Sequence, residues 1–148
     1  MCCTQVAAAQ VMARLRFTWL GGPGPEVSTK LTFRIVVTLV FCYMVYSYSL
    51  DYASVFIVKG TLITFLKVLG TILYTSYSIY ALMKLRENIR AKYSIPEKVC
   101  HGCEDIVCAV FCSCCTTAQL SRHTGEFETY RGSWCSETGL TSKTPICI

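Results

Sequence analysis

Cysteine is the residue type in this chain whose number and spacing suit metal or thiol chemistry. The 148 residues include 11 cysteines, and six of these fall between positions 100 and 115. Thiolates at this density can surround a zinc ion, because a Cys-x2-Cys knuckle followed by a second cluster is a common tetrahedral layout. The sequence therefore predicts a site for zinc or another divalent metal, with candidate ligands Cys100, Cys103, Cys108, Cys112 and Cys115.

The sequence leaves other uses of these thiols open. Little chain separates Cys103 from the second cluster, so few residues are available to wrap a metal. If residues 106–120 form one helix, Cys108, Cys112 and Cys115 share a face, which suits a shared metal or packing against lipid. Free or palmitoylated thiols, and disulfides, are the alternatives to a metal.

A further pair of cysteines stands near the first residue. Cys2 and Cys3 precede the basic residues Arg14 and Arg16, so we expect them to be candidates for palmitoylation. The odd cysteine count, and the lack of a continuous apolar signal core in the first twenty residues, favour reduced thiols in a reducing compartment.

The composition indicates a lipid environment. Hydrophobic residues make up 53% of the chain, which exceeds the share in an average soluble domain. The 14 basic and 9 acidic residues give a net charge of +5, which suits an anionic membrane surface. The charge alone does not separate this surface from a nucleic acid. Together with the apolar composition, it leads us to expect the lipid bilayer as a partner, with either further copies of the chain or a larger membrane complex, and no nucleic acid.

Two apolar segments supply the elements that must position the cysteines. Residues 31–50 and 61–83 would span about 30 and about 35 Å as helices, enough to cross a bilayer core. Their charged residues Arg34 and Lys67 lie near an end of each segment, from which a long side chain can snorkel to the interface.

The regions outside the spans have a different character. We expect residues 1–30 to be a flexible basic lead that ends in a Gly-Pro linker, and residues 123–148 to be a polar tail. Between them, residues 84–122 hold a basic amphipathic helix, stopped before Pro96, and the cysteine-rich module. The predicted fold class is mainly α: a two-helix membrane hairpin, a short amphipathic helix and a cysteine-rich helical module.

The charges beside the spans predict their orientation. Basic residues outnumber acidic ones both before the first span and after the second, whereas the connection carries only Asp51 and Lys59. A hairpin with both termini in the cytosol, in the plasma membrane or an endomembrane, satisfies this pattern. Because the acid-free start resembles a mitochondrial presequence, the mitochondrial inner membrane is the alternative.

Several residues after position 89 together resemble a known family. They are the run 90–96 with Tyr93 and Ile95, then Cys103-Glu104-Asp105, Cys112-x2-Cys115, Gln119 and Arg122. This set resembles the second half of the placenta-specific-eight family, which includes cornifelin, onzin and the plant cell number regulators and cadmium-resistance proteins. The resemblance covers roughly residues 82–128. Ala118 stands where the family usually has cysteine, and the family's upstream Cys-Cys-x4-Cys-Pro-Cys motif is not visible in residues 1–80.

The resemblance implies a small, oligomer-forming membrane protein without catalytic residues, whose relatives are linked to divalent-metal export or tolerance, calcium influx and growth control. The sequence itself also favours a protein without catalysis, since it contains no phosphate loop, HExxH motif or nucleophile elbow. Its two histidines, His101 and His123, are better read as structural residues or ligands than as a base for Cys103. Our first hypothesis is a metal-binding protein that forms or regulates an ion-transport assembly. The alternative is a structural accessory subunit of a larger membrane complex.

Overall fold

Five α-helices make up the computed structural model, which describes residues 2–56, 61–95, 103–125, 132–133 and 136–140. Helices account for 81% of these residues, with no strand among them, so the prediction of a mainly α fold is confirmed. In chain order they are α1 (Cys2–Leu15), α2 (Glu26–Phe56), α3 (Thr61–Lys92), α4 (Cys103–Phe111) and α5 (Ser113–Thr124).

α2 and α3 form the predicted hairpin. The rings of Tyr43 and Tyr74 stack with their centroids 4.0 Å apart. Closer to the end of α2 and the start of α3, Lys67 forms an ion pair with Asp51. Because later residues of α2 meet earlier residues of α3, the two helices run antiparallel.

Both hairpin helices are longer than the sequence predicted. α2 extends the predicted span 31–50 at both ends, and α3 begins at Thr61 as expected but continues through the basic segment to Lys92. The predicted amphipathic helix is therefore the last three turns of α3, because no glycine or proline interrupts the chain between residue 83 and Lys92. α3 ends just before Ser94, which adopts a positive φ of 53°.

The hairpin exposes apolar side chains over the later part of α2 and the earlier part of α3. Both helices are long and apolar enough to cross a membrane, judged by length and composition. Within the most apolar 18 residues of α3, none is buried. The exposed large side chains include Phe41, Val55, Leu62 and Phe65, all more than 60% exposed.

The core lies at the base of the hairpin, which we define as the start of α2 and the end of α3, and it is built around α1. Ala8, Val11, Met12 and Leu15 occupy one face of α1, since they are spaced at i, i+3, i+4 and i+7, and none is more than 6% exposed. The prediction of a flexible lead over residues 1–30 is therefore wrong. The buried partners of this face are Phe17, Ala81, Leu82, Leu85, Ile89, Ala109 and Leu120.

The connection between α1 and α2 is docked onto the hairpin. The Tyr77 hydroxyl donates to the Trp19 carbonyl over 3.0 Å, and Asn88 Nδ2 donates to the Gly21 carbonyl over 3.1 Å. On the other side, the buried Thr32 hydroxyl donates to the Phe17 carbonyl over 2.7 Å. The Gly-Pro run is therefore a fixed connection and not the predicted linker.

Gly21 gives a test of this docking. Its φ is +81°, and a Cβ there would stand 2.7 Å from the Ala81 carbonyl oxygen and from the Leu85 amide nitrogen. We expect Gly21→Ala to destabilise the protein by about 1–3 kcal/mol, because the residue gains both backbone strain and a clash with α3. Circular dichroism during heating in detergent should show a lower unfolding midpoint.

The neighbouring glycine supplies the control. A Cβ on Gly22 would have only Asn88 Nδ2 within reach, at 4.0 Å, so Gly22→Ala should unfold near the wild-type temperature. Equal midpoints for the two variants would contradict the docked connection.

Candidate functional site

The cysteine-rich module is two short helices joined at Cys112. This residue has φ −128° and ψ 38°, which is not helical. Its N–H donates to the Cys108 carbonyl over 3.0 Å, and its own carbonyl accepts from the Thr116 N–H over 2.8 Å. Cys112 thus closes α4 and begins α5, so the single helix considered over residues 106–120 is wrong. Cysteine, serine and threonine dominate the junction, and all have modest helix propensity.

Four free thiols surround this junction, and we call them the thiol cluster: Cys108, Cys112, Cys114 and Cys115. Cys108 is half-buried and the other three are exposed. The Sγ atoms of Cys114 and Cys115 are 4.0 Å apart. The hydrogen bond and charge of Cys114, followed by the charge of Cys112, raise the pKa of the Cys115 thiol. Cys115 therefore stays protonated to a higher pH than an isolated cysteine.

The described residues do not complete a metal site by themselves. Within the part of the chain that the structure describes, no three His, Cys, Asp or Glu side chains are grouped so that they could hold a metal ion. Cys108, Cys112 and Cys115 are therefore not gathered into one three-ligand set, because the break at Cys112 interrupts the helix face that they would share. Of the other candidate ligands, Cys100 lies outside the described residues, as does the side chain of Cys103.

The remaining candidates lie in three places. The backbone of Cys2 and Cys3 forms the first turn of α1, and their side chains are outside the described part. The family-motif residues are exposed in two groups, at the end of α3 for Tyr93 and Ile95, and on α5 for Gln119 and Arg122.

Arg14 is a buried charged residue that was not among the predicted site residues. Its guanidinium donates to the Thr138 carbonyl through Nε, and through Nη1 to the Ser121 carbonyl and the Thr124 hydroxyl, both over 3.3 Å. Desolvation by burial lowers the pKa of Arg14 to about 10, so it remains charged at neutral pH. Its place in the last turn of an apolar-faced helix is the signal that could have found it.

Part of the predicted polar tail is held against this arginine. Gln10 Nε2 donates to the Ser136 carbonyl over 3.1 Å, and Leu140 is 6% exposed. Arg34 of α2 pairs with Glu137 over 3.0 Å. Residues 136–140 of the predicted polar tail are therefore packed against α1 and α2.

One known protein family matches the part of the chain that holds the five helices. The model of the PLAC8 family matches residues 1–123. This range is wider than the resemblance over residues 82–128, since it reaches α1 and includes both hairpin helices. No curated protein and no solved structure matches the chain.

The contact between adjacent thiols can be tested by alkylation. In Cys114→Ala, Cys115 loses the sulfur that raises its pKa, so we expect its reaction with iodoacetamide to begin at lower pH. Mass spectrometry of the Cys115 peptide over a pH series gives the midpoint.

Cys42→Ala is the matched control, because Cys42 is also exposed but lies on α2. It should leave the midpoint for Cys115 unchanged. The interpretation fails if Cys114→Ala and the control have the same midpoint.

Proposed function

Because the chain belongs to the PLAC8 family, we propose that it is a non-enzymatic integral membrane protein whose α2–α3 hairpin crosses the bilayer and carries the thiol cluster on one side. The observation that supports this most directly is the exposure of the apolar part of α3, none of which is buried. A core helix of a soluble protein would bury such a stretch, since exposed apolar area costs about 25 cal/mol per Å². Lipid removes that cost.

The charge distribution supports a cytosolic location for the base of the hairpin. Arg14 and Arg16 belong to the α1 side of the hairpin, and Lys84, Arg86 and Arg90 lie on the part of α3 that packs at the base. The positive-inside rule then places α1, α4, α5 and both termini in the cytosol. This compartment is reducing, in agreement with free thiols at residues 108–115.

We propose that the thiol cluster binds a soft divalent metal such as zinc, and that copies of the chain assemble to form or regulate a metal-transport path. Exposed thiols on neighbouring turns can approach a metal from one side. Because no three of the described thiols are grouped around one point, a tetrahedral site needs at least two further donors, and Cys103 and Cys100 are the sequence candidates for them. The raised pKa of Cys115 makes its binding compete with a proton, so metal uptake should release protons.

Elemental analysis of the reduced, detergent-purified protein tests the metal. We expect stoichiometric zinc or a similar metal in the wild type and its loss in the Cys112→Ser, Cys115→Ser double variant. Cys42→Ser is the control, because it removes an exposed thiol of α2 and should keep the metal. A metal-free wild type would refute metal binding and leave the membrane assignment standing.

One feature of the hairpin favours a second candidate function. The Asp51 and Lys67 side chains of the ion pair are 52% and 44% exposed in the isolated chain. Charged groups within apolar segments usually face protein or water and avoid lipid. A structural accessory subunit, shielded by partners in a larger membrane complex, would cover this pair.

Extraction followed by native electrophoresis separates these possibilities. We expect the protein to remain in the membrane pellet at alkaline pH, where peripheral proteins are released. After mild detergent, the proposed function predicts a small homo-oligomer on a native gel, whereas an accessory subunit migrates with a much larger complex. Release by alkaline carbonate would instead indicate a lipidated peripheral protein and contradict the spanning hairpin.

A further inference from the structure

α4 has an outward apolar face that the described residues leave uncovered. Ile106, Val107, Val110 and Phe111 are 47%, 53%, 47% and 80% exposed, whereas Ala109 is 3% exposed and belongs to the core. At 100° per residue the four exposed side chains span about 140° of the helix circumference, a width typical of a packed apolar face. Phe111 is the most exposed large hydrophobic residue in the described chain.

The position of α4 along α3 indicates what covers this face. A cavity of about 140 Å³ lies beside the contact of α3 with α4 and also touches α1; its lining includes Tyr74, Ser78 and Leu82 of α3 and Ala109 and Val110 of α4. α4 therefore lies beside the stretch of α3 between its exposed apolar turns and its buried base.

This level corresponds to a membrane interface. On one side of it, Phe65 and Leu73 of α3 are more than 60% exposed, and on the other side the basic residues Lys84, Arg86 and Arg90 follow one another. Tyr77 and Tyr80 lie between them, and tyrosine is enriched where hydrocarbon meets the headgroups. The outward face of α4 thus continues the apolar surface of the hairpin to its edge.

From this continuity we propose that α4 is an interfacial helix, which lies in the headgroup layer of the bilayer crossed by the hairpin and inserts Val107 and Phe111 among the upper acyl carbons. This inference rests on the proposed function, since it requires a spanning hairpin. α4 is about 14 Å long and cannot cross a bilayer, but an amphipathic helix buries its apolar face about 5–10 Å into the interface.

The bilayer is favoured over a protein partner by the contrast with α5. The exposed side chains of α5 include Gln119, Arg122 and His123, which suit water. Among the described side chains, the exposed ones of α4, which lies beside the apolar turns of α3, are all apolar. A bilayer accounts for the change from apolar exposed side chains on α4 to polar ones on α5, because the hydrocarbon ends at a fixed height along the hairpin.

Tryptophan quenching in vesicles tests the proposal. The full chain, with Trp19→Phe and Trp134→Phe, receives one reporter at a time and is reconstituted into phosphatidylcholine and phosphatidylserine vesicles whose acyl chains are brominated near the headgroup. Phe111→Trp, and Val107→Trp as a second reporter, should lose much of their fluorescence to bromine and emit at shorter wavelength. Ala118→Trp, on the exposed side of α5, should be quenched by aqueous iodide instead.

A reporter in the hairpin distinguishes failure of the interfacial-helix proposal from failure of the spanning hairpin. Phe65→Trp, on the exposed part of α3, should be quenched by bromine placed deeper in the acyl chain. If it is quenched while the α4 reporters respond only to iodide, the interfacial helix is refuted and the spanning hairpin stands. If none of the reporters responds to bromine, the spanning hairpin fails too. α4 reporters shielded from both quenchers would show that protein covers the face, which also refutes the proposal.

Discussion

The burial of one face of α1 against the base of the hairpin is the constraint on which the other helices depend. Met12 and Val11 are almost fully buried, and so is Leu85 on the facing side of α3. Burying a side chain of this size contributes about 1.5–3 kcal/mol. Because α1 also contacts α2 and α5, this single face fixes where the cysteine-rich module sits relative to the hairpin. Without α1, the base of α3 would expose a second apolar surface unrelated to lipid.

Polar groups buried beside this face make the arrangement specific. Arg14 donates to groups on both α5 and the 136–140 segment, and the buried Thr32 hydroxyl donates to the Phe17 carbonyl before α2. A buried polar group without such partners would cost about 1–3 kcal/mol, so other packings of the same apolar residues are disfavoured. The apolar face brings the elements together, and the hydrogen bonds select one arrangement among them.

The sequence predicted the features that follow from long apolar runs and missed those that follow from short ones. Two helices with a break near residue 60 were predictable, because twenty apolar residues have few alternatives. The i, i+3, i+4, i+7 spacing of Ala8, Val11, Met12 and Leu15 was visible, but alanines and a following Gly-Pro run made the segment resemble a lead. The break at Cys112 was not predictable, since it depends on how α4 and α5 each pack on the core. The same break explains why spacing alone overestimated how closely the cysteines gather.

The position of the thiol cluster narrows the chemistry that remains for it. Cys114 and Cys115 are neighbours in sequence, and their Cα atoms are about 3.8 Å apart, which is shorter than the 4.4 Å that a disulfide normally needs. A bond between them is therefore disfavoured, although their sulfurs are 4.0 Å apart. The proton that Cys115 retains also lowers its reactivity toward oxidants, which attack the thiolate. A soft metal can displace that proton, and because Cys112 follows directly on Phe111, any metal held by these thiols would lie close to the edge of the apolar surface. Under the proposed function, the thiol cluster would therefore receive or deliver an ion beside the membrane surface.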